Sequence, residues 1–258
     1  MARKSHKNNP YKRLFFWLLF FNSLFIIYFV FQNPKWTSSI SFKIKTFFSE
    51  TNIPKGNYSY GIDVSEYQGV INWKTIAQQK SNYKVSFILI RSTAGKDHRD
   101  RYYTYNWRES KKNSLIRGAY HYYRPNENST LQAKNFIANV KLQSGDLPPV
   151  LDVEQLSKVQ SMQSLKSGIK NWLNIVEKHY GIQPILYTGT HFYRDYLNDL
   201  TQYPLWIANY NQIDNPLSEK EWIMWQFSDQ GQINGISGPV DLDLFNGNAK
   251  DLNKYLLK

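Results

Sequence analysis

The sequence predicts an α/β barrel preceded by one transmembrane helix, and three observations support this prediction. Eight short apolar runs, rich in Ile, Val, Tyr and Trp, recur from residue 60 onward, and such runs are typical of buried strands. Helical patterns separate several of the runs, and strands that alternate with helices form parallel sheets and barrels. Near the N-terminus, one uncharged apolar stretch is long enough to cross a bilayer.

The N-terminal region divides into a basic tail, an apolar segment and a linker. Residues 1–13 contain five basic and no acidic residues, and the next 18 residues are uncharged. The positive-inside rule predicts a cytoplasmic tail at 1–13, a transmembrane signal-anchor at 14–32 and an exported remainder. A cleavable signal peptide is the alternative, but the exit sequence FVFQNPKW lacks the small residues of a cleavage site. Residues 33–56, which contain two Pro and several Ser and Thr, predict a linker, and 57–258 form the barrel domain.

The composition excludes several classes of protein. The formal charge is +12, but residues 1–46 hold eight basic residues and no acid, so the remainder carries only +4 and does not indicate a nucleic-acid partner. The chain contains no Cys, which excludes disulfides and thiol catalysis. The five His are scattered without a metal-ligand spacing. We therefore expect no cofactor and no metal.

The eight predicted strands follow in order along the exported domain. They are YGIDVS (60–65), VSFILIRS (85–92), IRGAYHYY (116–123), PPVLDVE (148–154), PILYTG (184–189), PLWIANY (204–210), WIMWQFS (222–228) and the weaker VDLDLF (240–245). Helical patterns follow the first run (WKTIAQQK), the third (STLQAKNFIANVKL) and the fourth, where SMQSLKSGIKNWLNIVEKHYG ends at a Gly stop signal. Because the connections shorten after the fifth run, we expect an irregular TIM-like β/α barrel.

Acidic residues interrupt the apolar runs at strand ends. Asp152 and Glu154 are two residues apart, so on a strand they share a face with Cα atoms roughly 6.6 Å apart, while Leu151 and Val153 face outward. Asp63 lies late in the first run, and other acids meet it because barrel sites form at the C-terminal ends of strands. Clustered carboxyls cannot all ionise freely, so one can serve as a general acid and another can stabilise positive charge on a sugar. Salt-bridged strand ends or a carboxylate-bound cation remain the alternatives.

Aromatic residues at the ends of the same runs favour a sugar-binding groove, since pyranose rings stack on aromatic faces. They are Tyr67, Tyr120, Tyr122, Tyr187, Trp206, Tyr210 and Trp225. We expect some of them to face the mouth of the barrel. His121, within AYHYY, is expected in the barrel interior as a packing residue.

Taken together, residues 58 to about 250 resemble the glycoside hydrolase family 25 lysozymes. The motifs that carry the resemblance are GIDVSEYQGVINW, ILIRSTAGKDHRDRYYTYNW, GAYHYYRP, PPVLDVE, ILYTGTHFY, LWIANY and WQFSDQGQINGISGPVDLDLF, in the order of the family. The resemblance implies a barrel of five β/α units finished by three further strands. It also implies hydrolysis of the β-1,4 bond between N-acetylmuramic acid and N-acetylglucosamine, with peptidoglycan glycan strands as the partner.

The resemblance also implies roles for particular residues. Glu154 would be the general acid/base, Asp152 would stabilise or orient the sugar, and Asp63 and Asp241 match the other two active-site carboxylates. Substrate contacts are expected from Tyr122, Tyr187, Trp206, Tyr210 and Gln226. The nucleophile is either the sugar's 2-acetamido group or a carboxylate, and the sequence leaves both open. Where many members read KATEG, this chain reads RSTAG with Ala94 in place of the loop acid, a departure that bears on fine specificity.

The sequence therefore predicts a membrane-anchored muramidase of the bacterial cell membrane, with a single pass into the lipid bilayer, the catalytic domain outside the cytoplasm and a monomeric state. Two alternatives remain open. One is a non-catalytic peptidoglycan-binding barrel, and the other is a glycosidase that acts on chitin-like polymers.

Overall fold

The computed structural model describes residues 53–79, 83–210, 217 and 221–258, all within the unit Thr51–Lys258. The predicted tail at 1–13, the anchor at 14–32 and nearly all of the linker lie outside the described residues. Within the described ranges, no helix is both long and apolar enough to cross a membrane.

Nine strands belong to one sheet across the described residues. They are β1 (Ser59–Val64), β2 (Val85–Ala94), β3 (His98–Arg99), β4 (Ile116–Tyr122), β5 (Val150–Asp152), β6 (Ile185–Gly189), β7 (Leu205–Ala208), β8 (Met224–Gly231) and β9 (Val240–Phe245). The sheet runs β1-β9-β8-β7-β6-β5-β4-β2-β3, and β1 also pairs with β2. That extra pairing closes eight strands into a barrel, with the two-residue β3 attached outside the ring. The predicted α/β barrel is confirmed.

The described part of the chain contains six α-helices and one 3-10 turn (Glu66–Gln68). The α-helices are α1 (Trp73–Ala77), α2 (Tyr103–Lys112), α3 (Ser129–Asn139), α4 (Met162–Tyr180), α5 (Thr190–Phe192, continued as a π-turn over Tyr193–Leu197) and α6 (Ala249–Asn253). The predicted stop of α4 is confirmed, because Gly181 has a φ of 69° in the left-handed region that favours glycine. Helix α2 was not predicted. With one helix after each of the first five barrel strands, the barrel has five β/α units and then β7, β8 and β9.

The last strand closes the barrel in the opposite direction from the others. Strands β7 and β8 still pair in parallel, whereas β9 is antiparallel to both β8 and β1. The N-terminal end of β9 therefore lies at the same rim as the C-terminal ends of the parallel strands. In this register Asp241 stands directly opposite Asp63.

Apolar side chains pack on both faces of the barrel wall. Inward-facing residues such as Phe87, Val150 and Met224 fill the interior. Leu151 and Val153 belong to the layer between the sheet and the helices and are fully buried, as predicted from strand alternation. Complete burial of one such side chain stabilises the fold by about 1.5–3 kcal/mol. This packing holds β5 rigidly up to the point where its acids begin.

His121 lies in the outer layer, so the prediction that it faces the barrel interior was wrong. Its ring stacks on Trp172 of α4 at 5.5 Å between centroids, and Nε2 lies 3.2 Å from Gln132 Oε1 of α3. Burial lowers the pKa of His121 to about 3, so the ring is neutral. The neighbours Tyr120 and Tyr122 face inward instead, because successive residues of a strand alternate between its two faces.

Candidate active site

A cavity of about 210 Å³ opens at the C-terminal end of the barrel strands. All nine site residues named from the sequence line it: Asp63, Tyr122, Asp152, Glu154, Tyr187, Trp206, Tyr210, Gln226 and Asp241. Ser65, Tyr67, Gln68, Arg91 and Tyr120 complete the wall. Trp225, among the aromatics considered for the groove, instead belongs to the outer core layer. The barrel thus brings together residues that are far apart in the chain.

A second, open groove of about 380 Å³ adjoins this cavity. Its wall includes Phe192 and Asn209, and it shares Glu154, Tyr187 and Tyr210 with the first cavity. Glu154 therefore stands at the junction of the two. A polymer that occupied both would place the bond between two of its units beside this carboxyl group.

Asp152 and Glu154 occupy different depths of the cleft. Asp152 is the last residue of β5 and is 4% exposed, whereas Glu154, two residues later, is exposed at the mouth. The segment between them is fixed by the N–H of Val153, which donates to the carbonyl of Tyr187 at 2.9 Å. Asp152 Oδ1 has no hydrogen-bond partner among the described residues. A buried acceptor in a cleft wall is available to a donor on a ligand.

The two acids influence each other's ionisation. Burial raises the pKa of Asp152 well above its usual value, the nearby Glu154 carboxylate raises it further, and Arg91 opposes both effects. Burial by the cleft walls also raises the pKa of Glu154, while the nearby Tyr187 hydroxyl opposes this. Because the Glu154 side chain reaches solvent at the mouth, water moderates the burial effect there. The pair thus retains a proton more readily than two isolated carboxylates would.

Gln226 links the opposite wall into one hydrogen-bonded unit. The hydroxyls of Tyr187 and Tyr210 donate to its Oε1 at 2.7 and 2.5 Å. These two donors fix the orientation of the amide, whose Nε2 then donates to Asp63 Oδ2 at 2.5 Å. Burial raises the pKa of Asp63 well above its usual value, and the neighbouring Asp241 and Asp243 add to this.

Asp241 stands higher at the rim than Asp63 and is half-buried. Burial raises its pKa to about 7, with further contributions from the negative charges of Asp229 and Glu154. This carboxyl therefore changes charge near neutral pH, while its neighbour Asp63 lies deeper. The rim of the cleft becomes more negative as the pH rises through 7.

A fifth acid, Asp243, lies below the cavity and was not predicted. It is fully buried, and Trp206 Nε1 donates to its Oδ1 at 3.0 Å. A signal was present in the sequence, because VDLDLF repeats the alternation of DVE and places Asp241 and Asp243 on one face of β9. Only Asp241 was predicted as a site residue, because the family motif matched that acid alone.

Comparison with known proteins identifies the family. A family model described as "Glycosyl hydrolases family 25" matches residues 62–236. The chain belongs to glycoside hydrolase family 25. It is 39% identical over 206 residues to the uncharacterized protein YegX of Escherichia coli (strain K12), covering 79% of this chain and 75% of YegX. It is 31% identical to Lysozyme M1 of Streptomyces globisporus, covering 74% of this chain and 69% of that one.

The barrel also superposes on a solved family 25 structure. The glycosyl hydrolase of Bacillus anthracis matches with a TM-score of 0.73 at 30% identity, covering 80% of this chain and 97% of that one. This protein is therefore an enzyme of the glycoside hydrolase class, and the resemblance drawn from its motifs is confirmed. Within the described ranges, no group of three or more His, Asp or Glu residues could hold a metal ion.

The RSTAG segment departs from the common family 25 pattern. It contains Arg91, whose positive charge is held in one position. Arg91 of β2 donates to Asp100 Oδ2 at 3.1 Å and to Glu66 Oε1 at 2.9 Å. Its guanidinium carbon lies 4.9 Å from the centroid of the exposed Tyr67 ring. Two carboxylates and one aromatic ring thus hold Arg91 in the cleft wall. Its charge favours the ionised form of Asp152.

Ala94 itself closes β2 and is buried. The next acid along this wall is Glu127, whose Oε2 accepts a hydrogen bond from the Lys96 N–H at 2.6 Å. Glu127 therefore braces the turn after Ala94 through the backbone. The loop acid is absent from the sequence, and Glu127 does not line either part of the cleft.

Proposed function

We propose that this family 25 hydrolase is a lysozyme that cleaves the β-1,4 bond between N-acetylmuramic acid and N-acetylglucosamine in peptidoglycan. The observation that carries the proposal is the position of Glu154, at the junction of the two parts of the cleft and beside the buried Asp152. The relatives named as lysozymes support the choice of substrate.

In the first step Glu154 acts as the general acid. The carbonyl oxygen of the sugar's 2-acetamido group forms a bond to the anomeric carbon while the glycosidic C–O bond breaks. The leaving oxygen takes the proton of Glu154. This assignment suits a carboxyl whose pKa is raised by burial, since a general acid must be protonated near the working pH.

In the second step Glu154, now ionised, removes a proton from water. The water oxygen attacks the anomeric carbon, and the bond to the acetamido oxygen breaks. The products are a sugar with a free reducing end and the regenerated acid. Each atom of the acetamido group returns to its original state, so the enzyme needs no cofactor.

Asp152 is proposed to hold the acetamido group during both steps. Its Oδ1, which lacks a partner within the described residues, accepts the acetamido N–H. A negative charge there stabilises the positive charge that develops on the acetamido group. Arg91 opposes the rise in the pKa of Asp152 and so favours its ionised form. This arrangement favours substrate assistance over a direct carboxylate nucleophile.

The remaining wall is proposed to bind the sugars. Asp63, Asp241 and Gln226 present polar atoms to hydroxyl groups. The aromatic side chains offer apolar faces to the pyranose rings and exclude water from the acids: Tyr122, Tyr187, Trp206 and Tyr210.

Digestion of peptidoglycan by the full-length protein tests this function. Mass spectrometry of the released fragments should show N-acetylmuramic acid at the new reducing ends. Binding to the wall without any released product would instead identify a non-catalytic module. Cleavage of unsubstituted N-acetylglucosamine chains, with no action on several peptidoglycans, would identify a chitin-type glycosidase.

We further propose that residues 14–32 anchor the enzyme in a bacterial cell membrane with the barrel outside the cytoplasm. The support is the uncharged stretch that follows the basic tail. Two Arg residues at Phe21 and Leu24 would each cost roughly 2.5–3.5 kcal/mol in the bilayer centre, so Phe21→Arg with Leu24→Arg should release the protein from the membrane fraction. External protease should digest the wild-type barrel in intact spheroplasts, and protection of the barrel would contradict the orientation.

A further inference from the structure

Asp243 is a buried acid that the proposed reaction does not use. It pairs in register with Gly61 of β1 and with Gln226 of β8, and it is 0% exposed. Because Gly61 has no side chain, the carboxyl group of Asp243 can approach Asp63, the next inward-facing residue of β1. The carboxyl groups of Asp63 and Asp243 lie within hydrogen-bonding reach of each other.

The hydrogen bonds around this pair leave room for one shared proton. Gln226 Nε2 donates a hydrogen bond to Asp63 Oδ2, and Trp206 Nε1 donates one to Asp243 Oδ1. Asp243 Oδ2 has no partner among the described residues. Two carboxylates in contact inside a protein repel each other strongly, and an unpaired buried oxygen is unfavourable. A proton on Asp243 Oδ2 that is donated to Asp63 removes both problems.

The ionisable groups that face Asp243 lie on β1, on β9 and in the segment before β2. Asp241, above it on β9, raises the pKa of Asp243, whereas the hydrogen bond with Asp63 of β1 lowers it, and burial still holds the pKa well above its usual value. The Tyr83 hydroxyl, in the segment before β2, lies between the backbone carbonyls of Gly61 and Asp243, 2.9 Å from the latter. The side chains of β7 and β8 that face Asp243 are Trp206 and Gln226, and both are neutral.

We propose that Asp243 is a positioning residue that keeps its proton at neutral pH and donates it to Asp63. Asp63 then receives two hydrogen bonds, from Asp243 and from Gln226, and faces the cleft as one anion in one orientation. The consequence for catalysis rests on the proposed function, whereas the location of the proton does not. The pattern also predicts that Asn is the conservative replacement, since its amide accepts from Trp206 and donates to Asp63.

Infrared spectroscopy tests the proton directly and needs no substrate. At pH 7 the difference spectrum between wild type and Asp243→Asn should contain the carbonyl stretch of a protonated carboxylic acid. The matched difference between wild type and Glu177→Gln, an acid of α4 outside the cleft, should lack it. Absence of the band from the Asp243 difference spectrum would overturn the proposal.

The pH dependence of stability provides a second readout. Burial raises the pKa of Asp243, so above about pH 4, where the carboxyl of an unfolded chain ionises, only the folded protein keeps this proton. Wild-type stability therefore falls as the pH rises from about 4 toward the folded pKa. Asp243→Asn should show a shallower fall in melting temperature between pH 5 and 8. Equal slopes in the two proteins would contradict the proposal.

Activity on peptidoglycan then tests the positioning role. Asp243→Leu cannot donate to Asp63 and should lose about ten- to a hundred-fold in kcat/KM. Asp243→Asn should exceed Asp243→Leu by at least about ten-fold, with its alkaline limb moved to higher pH. Equal losses in both variants would mean that Asp243 acts as an anion. If Asp243→Leu fails to fold, the Asp243→Asn pH profile decides, and inactivity of the wild type would refute the proposed function alone.

Discussion

Strand β5, together with the residues that follow it, and strand β9 each supply two acids that are two residues apart, yet in opposite order. β5 runs toward the mouth, so its first acid, Asp152, is deep and its second, Glu154, is at the rim. β9 runs away from the mouth, so Asp241 is at the rim and Asp243 is deep. The same spacing therefore gives different environments because strand direction decides which acid meets solvent.

The two deep acids also differ in what they face. Asp152 lines the cleft with an unpartnered oxygen, and Arg91 nearby favours its anion. Asp243 lies beneath the indole of Trp206 and outside the lining of the cleft. In the proposed reaction, both members of the β5 pair therefore take part in the chemistry, and only one member of the β9 pair lines the cleft.

The largest expected effect on activity is at Glu154, which follows β5. Glu154→Gln removes the transferable proton and should lower kcat by about a hundred- to ten-thousand-fold. Initial rates of reducing-end release measure this. The matched control is Glu177→Gln in α4, which should retain wild-type rates. The assignment fails if Glu154→Gln keeps more than about a tenth of the activity.

The second largest effect on activity is expected at Asp152, the buried acid that ends β5. Asp152→Asn keeps the shape but removes the negative charge, and should lower kcat by about a hundred- to a thousand-fold, with a smaller change in KM. Single-turnover measurements on a soluble muramyl oligosaccharide separate the two constants. A change confined to KM would show that Asp152 binds the sugar without assisting the chemical step.

Asp241, the acid of β9 at the rim, should control how activity depends on pH. Since the pKa of Asp241 is about 7, kcat/KM should change slope near that pH, and Asp241→Asn should lose this inflection while changing the optimal rate by less than about ten-fold. Because the pKa is raised, wild-type stability falls as the pH rises from about 4 to 7. The variant should show a weaker fall in melting temperature. An unchanged rate profile and slope would contradict this role.

The smallest effect on activity is expected at Tyr210. Tyr210→Phe removes one of the two hydroxyls that orient Gln226, and Tyr187 keeps the other. Loss of one such hydrogen bond should lower kcat/KM about two- to ten-fold. Tyr255→Phe, after α6 and outside the cleft, is the matched control. A loss above about a hundred-fold would show that Tyr210 contributes more than this bond.

Much of the barrel was predictable because its strands are continuous apolar runs. PPVLDVE shows why the position of the cleft was predictable too, since Asp152 and Glu154 are two acids in an otherwise apolar run, and both line the cavity. Helix α2 was missed because Arg108, Lys111 and Lys112 crowd a segment that buries only Tyr103, Asn106 and Ser110. Its periodicity is correspondingly weak.

The orientation of individual residues was harder to predict. Helices cover the outside of the barrel, so both faces of a strand such as β4 are apolar, and alternation alone does not say which face is inner. His121 was placed on the wrong face for this reason. Asp243 was missed for a related one, because the depth of an acid depends on the direction of its strand, which only the closed sheet reveals.

The seam between β1 and β9 has a consequence for how the protein is made. β1 is synthesised early and β9 last among the strands, so the edge of β1 has no partner until the final strand emerges. Unpaired strand edges promote association between chains, and contacts between distant parts of a sequence form slowly. A nascent chain that stalls before residue 240 keeps two open edges, on β1 and β8. The barrel can therefore close only after β9 has been synthesised.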